Sequence, residues 1–136
     1  MKIATTVAQW VVRITGAIQI VLGALFWTGN APNLVQAHML SGIALVLALW
    51  VLALLAGRAG IPGGFVVLAF AWGLVVVLFG LNQARILPGP LHWIVQTIHL
   101  LLGLGAIGLA EHLARRTKAA LPRARTGSSL AGEVAS

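Results

Sequence analysis

Four histidines, His38, His92, His99 and His112, carry most of the chemistry available to this sequence. There are no cysteines, which excludes a disulfide framework, an iron–sulfur cluster and a thiolate site. The only acidic residues are Glu111 and Glu133. Histidine is therefore the metal ligand this chain has to offer. A lone histidine in an apolar helix commonly serves as an interhelical hydrogen-bonding group. Two on facing helices can instead supply the axial pair of a haem iron, whose other bonds come from the macrocycle. Which of these applies depends on where the helices place the imidazoles.

Four apolar stretches are each long enough to cross about 30 Å of hydrocarbon at roughly 20 residues apiece. They run from Gln9 to Trp27, Pro32 to Ala56, Gly64 to Ala84 and Pro90 to Leu113. The breaks between them carry helix stop and start signals: Thr28-Gly29-Asn30-Ala31-Pro32, Gly57 to Gly64, and Leu87-Pro88-Gly89-Pro90. Short connections of this kind predict an all-α, integral membrane, antiparallel four-helix bundle over residues 1–118. Hydrophobic residues make up 60% of the chain and charged ones 8%, far from the roughly 25% charge of soluble domains. No convincing small-residue cleavage site follows the first stretch, so it is read as a retained helix.

The net charge of +7 raises the question of nucleic acid, but the basic residues do not form a stripe with aromatics. They flank the apolar segments. Lys2, Arg13, Arg58, Arg115, Arg116, Lys118, Arg123 and Arg125 would fall on one side of the bundle, with Arg85 alone on the other. This asymmetry predicts a cell-membrane protein with both termini cytoplasmic. Residues 119–136, rich in Pro, Gly and Ser, read as a flexible basic extension attracted to anionic membrane lipid.

The two halves of the bundle resemble each other, giving two similar helix pairs. Gly16 and Gly23 are seven residues apart in the first helix, as are Gly73 and Gly80 in the third. In the second helix His38 is followed by three residues and then Gly42, and in the fourth His99 is followed by three residues and then Gly103. Such glycines are consistent with close helix contact in any membrane protein. They equally suit a slot in which a planar macrocycle lies against backbone. Counted from the prolines Pro32 and Pro90, His38 and His99 differ in depth by three residues, about 4.5 Å at 1.5 Å per residue, which a small tilt or stagger of the helices could absorb.

The reading that follows is a single bis-histidine haem b per chain. Its metal ligands are His38 and His99, lined by Gly16, Gly23, Gly42, Gly73, Gly80 and Gly103. His92 shares the face of His99 and reads as an interfacial or propionate-side residue, with substitution for His99 as the other assignment. Arg85 is either a partner for haem propionates or a snorkelling anchor. His112, beside Glu111, has no counterpart on the second helix and is read as an interfacial polar residue. Gln36, Asn82, Gln83 and Gln96 offer hydrogen-bonding groups near the same surface, which suits a quinol. The competing readings are a cofactor-free accessory subunit of a larger membrane complex and, last, a compact transporter.

In its second- and fourth-helix histidines and four-helix plan, the chain resembles one half of the haem A synthase family through about Leu113. That resemblance implies axial ligation at His38 and His99. The chain has one such unit, and no carboxylate accompanies His38, so the family's oxidation of a haem methyl group does not carry over. The chain is also similar in plan to small four-helix cytochromes b, which implies electron exchange with a quinol or a redox partner.

Overall fold

The computed structural model describes the backbone of residues 1–134 and the side chains of residues 1–121. Within these limits the regular structure is entirely helical. The elements are α1 (Lys2–Trp27), α2 (Val35–Arg58), α3 (Gly63–Asn82) and α4 (His92–Val134), with one-turn 3₁₀ segments at Pro32–Leu34 and Gln83–Arg85. All four helices are long and apolar enough to cross a membrane. The extension expected from residue 119 lies almost wholly beyond the described side chains.

The observed helix ends differ from those expected at both prolines. Pro32 opens the 3₁₀ turn rather than α2, behind Ala31 at φ 56 in the left-handed region. Pro90 lies in the turn before α4, and Gly89 there has φ +97. Proline's fixed φ suits a first helical turn of either kind, so a proline marks the approach to a helix without fixing its first α-turn. Gly29 and Gly60, at φ +76 and +82, make the other two sharp reversals, a conformation that glycine adopts without the penalty a Cβ brings.

α2 and α4 each touch the other three helices, and α2 contributes most of the buried core. From Leu45 onward it buries Leu45, Val46, Leu49 and Leu52, which meet Val12 of α1 and Leu113 of α4. Alanines Ala69, Ala106, Ala110 and Ala114 line the contacts and let the backbones come close, as small residues do in apolar bundles. Large apolar side chains elsewhere point outward; Ile3 is 81% exposed and Val67 68%.

Packing is uneven along the bundle. The core occupies the end that holds the C-terminal half of α2. At the other end, no residue of α2 before Leu45 is buried, and Leu22 of α1 and Val95 of α4 are the buried apolar residues there. Both His38 and His99 belong to this loosely packed end.

Glycine closeness carries the α2–α3 contact. A Cβ at Gly73 would stand 2.5 Å from Nε1 of Trp50 and 2.9 Å from Val46, and Trp50 is itself stacked on Phe70 at 5.4 Å. Gly73→Ala is therefore expected to lower the thermal midpoint of the detergent-solubilised protein by an overpacking cost of about 1–3 kcal/mol. An unchanged midpoint would show that α2 and α3 can move apart freely.

Candidate functional site

The imidazoles of His38 on α2 and His99 on α4 face each other, with ring centres 6.2 Å apart and planes inclined by 55°. Imidazole–metal bonds of about 2 Å, as in histidine–zinc sites, put the ring centres of a linear bis-imidazole pair roughly 6 Å apart. The observed separation of ring centres is close to that distance. The depth difference counted from the prolines is thus taken up by staggered helix ends, and the rings meet.

Each histidine is placed by the helix before it in the chain, and in each pair a glycine makes the room. Gly23 of α1 lies against His38, where a Cβ would be 4.0 Å from Cε1 of the ring. Gly80 of α3 lies against His99 more tightly, with a Cβ 3.0 Å from Cε1 and 3.7 Å from Nε2. An aromatic ring accompanies each: Phe26 edge-on to His38 at 5.4 Å, and Phe79 nearly parallel to His99 at 6.1 Å and 11°. The Nδ1 atoms of both histidines are buried with no hydrogen-bond partner among the described residues. Nε2 of His112 and Nε1 of Trp50 are buried without a partner as well, so it is the facing of His38 and His99 that distinguishes them.

The other glycines are placed differently. A Cβ at Gly16 would meet Ile107 at 2.9 Å, one at Gly73 would meet Trp50 and Val46, and one at Gly42 would meet the amide of Gln19. Around Gly103 nothing lies within 4 Å. Of the six glycines expected beside a macrocycle, the structure brings Gly23 and Gly80 to the histidines. Gly16, Gly73 and Gly42 instead receive side chains.

His92 stands at the start of α4 with Nδ1 3.3 Å from the carbonyl of Ile86, so it fastens the α3–α4 turn. Arg85 ends the 3₁₀ turn after α3 and is exposed. His112 lies far along α4 against Phe65, 5.3 Å between ring centres, and apart from the facing pair. Among the described residues, no group of three or more His, Cys, Asp or Glu side chains is gathered for a bare metal ion. A haem iron asks less of the protein, since the porphyrin provides its equatorial bonds and only the axial pair must come from side chains.

Two polar clusters were not anticipated from the residue pattern. Gln19 of α1 crosses to α2, where its Nε2 donates to the carbonyl of His38 and, at 2.8 Å, to Oγ of Ser41. The Ser41 hydroxyl donates to the same carbonyl at 3.1 Å. At the opposite end, Glu111 of α4 accepts two hydrogen bonds from Arg13 of α1, at 2.7 and 3.0 Å, and one from Gln9 at 2.7 Å. Lys118 then donates to Oε1 of Gln9 at 2.6 Å. Arg13, which reads in isolation as a snorkelling residue, is held by a carboxylate. The signal available was the shared depth of Arg13 and Glu111, each about a turn or less inside the same end of the apolar stretches Gln9 to Trp27 and Pro90 to Leu113. Glu111→Ala leaves the half-exposed Arg13 guanidinium and the Gln9 amide without the carboxylate that joins α1 to α4. We expect a marked loss of yield and thermal midpoint in detergent for this variant, with part of the loss recovered by adding Arg13→Ala. A double variant no better than Glu111→Ala alone would argue against the ion pair as the cause.

No family model, no curated protein and no solved structure matches this chain.

Proposed function

We propose that this protein is a membrane cytochrome b of the single-haem kind, with one haem b per chain between His38 and His99. The observation that carries the reading is the pair of imidazoles with centres 6.2 Å apart, each seated on a glycine of the preceding helix and each with a buried, unpartnered Nδ1. The loose packing at that end of the bundle, against a dense core at the other, further supports it.

When bound, haem supplies one-electron iron chemistry whose potential is tuned by its axial ligands and surroundings. The chain's own residues would do the rest. His38 and His99 would hold the iron from two sides. Gly23 and Gly80 would let the imidazoles approach, and Phe26 and Phe79 would keep water from them. Arg85, His92 and the amides Asn82 and Gln83 are the polar groups near the ends of the same helices, where propionates and a quinol or a redox protein would be met.

The charge asymmetry and short connections support an antiparallel bundle in the cell membrane, with both termini cytoplasmic and the histidine end toward the outer side. The test is a reduced-minus-oxidised visible spectrum of the detergent-purified protein, with haem extracted and measured against protein. A low-spin b-type spectrum at about one haem per chain is the expected result. Protein free of haem after expression with ample haem supply would leave a cofactor-free accessory subunit of a larger membrane complex as the better reading.

A further inference from the structure

Gln19 is an amide set well inside an apolar helix, where an unbonded polar group would be expensive. It sits four residues before Gly23, and so on the same face of α1. Gly23 gives the His38 ring its room, and Gln19 grips the backbone of the same residue. Its Nε2 donates both to the His38 carbonyl and to Ser41 Oγ, while Ser41 donates back to that carbonyl, so the three groups close a triangle.

The second helix pair lacks this device. The residue four before Gly80 is Val76, which has no donor. There the crossing bond comes from Trp72, whose Nε1 donates to the carbonyl of Leu102 at 3.0 Å, three residues past His99. One histidine is thus held at its own peptide group and the other a turn away.

We infer that Gln19 is a positioning residue for His38: by anchoring the carbonyl of His38 to α1, it sets the reach and tilt of that imidazole toward His99. Gly42 belongs to the same device. A Cβ at Gly42 would stand 3.1 Å from Gln19 Nε2 and 3.5 Å from its Cδ, so a side chain at residue 42 would push the amide by a few tenths of an ångström. The inference rests on the haem reading for its consequence at iron, but the placement of His38 can be measured without haem.

The experiment compares full-length, detergent-purified Gln19→Ala, Gly42→Ala, the double variant, and Gly108→Ala as a control, since nothing lies within 4 Å of Gly108. Two readouts are taken: electron paramagnetic resonance of the ferric haem, and ¹⁵N resonances of labelled histidine side chains in haem-depleted protein. Gln19→Ala is expected to retain haem at near-normal stoichiometry but to shift the low-spin g-values, and to release haem roughly five- to tenfold faster, as loss of the bond that holds the His38 carbonyl would allow. Gly42→Ala should shift the g-values in the same direction by displacing the amide. The double variant should go no further than Gln19→Ala alone, because the group that Gly42→Ala disturbs is already gone.

In haem-depleted protein the His38 resonances, identified by their loss in His38→Ala, should move in Gln19→Ala while those of His112 stay. Unchanged g-values together with an unmoved His38 resonance would overturn the inference, as would additive effects of Gln19→Ala and Gly42→Ala. If the unaltered protein takes up no haem, the functional reading fails, and the His38 resonance alone decides the role of Gln19.

Discussion

Alanine at either His38 or His99 is expected to abolish the low-spin b-type spectrum, with haem falling to a small fraction of one per chain. On the proposed reading the two imidazoles would act as a unit: with one gone, iron would keep a single protein ligand, beside Phe26 or Phe79. His112→Ala provides the contrast. Its ring lies against Phe65 at the far end of α4, away from the facing pair, so the spectrum should survive. The measurement is haem per protein together with the visible spectrum of each variant after purification. Full retention of haem by both His38→Ala and His99→Ala would sink the ligand assignment.

The second large effect concerns the two glycines beside those rings. They look alike in sequence, yet the structure separates them. A methyl group at Gly80 would sit 3.0 Å from Cε1 of His99, inside the distance real Cβ contacts normally keep, and the ring already lies nearly parallel to Phe79. At Gly23 the equivalent distance to His38 is 4.0 Å, an ordinary contact. Gly80→Ala is therefore expected to push His99 off its seat and to cut haem occupancy severalfold, although alanine itself favours helix by about 1 kcal/mol over glycine. Gly23→Ala should act in the same direction but much more weakly. Haem per chain and the ferric g-values of the two variants check this. Equal effects would mean that the tight contact at Gly80 relaxes at no cost.

How far the sequence discloses this molecule depends on the scale of the question. The four helices were legible because runs of apolar residues broken by Gly and Pro clusters leave few other solutions. Their starts were less so: Pro32 and Pro90 announce turns that precede α2 and α4, and a proline is equally content in a 3₁₀ turn. The facing of His38 and His99 was readable from their places on the second and fourth helices.

The roles of individual glycines were not. Gly16 and Gly23 lie seven residues apart on one face, and that spacing marks the face without saying which neighbour each residue meets. The structure assigns Gly16 to Ile107 and Gly23 to His38. Gln19 and the Arg13–Glu111 pair escaped for a related reason. Their partners are on other helices, and only the mutual rotation of α1 against α2 and α4 decides whether a polar side chain finds them. Periodicity in one helix contains no information about that rotation.

The uneven packing described above bears on how the protein matures. Leu49, Leu52, Val12 and Leu113 close the bundle without any contribution from the histidine end, so the chain can reach its folded topology before a prosthetic group arrives. On the haem reading proposed above, insertion and loading would be separate events, and the haem-free protein would already hold its packed core.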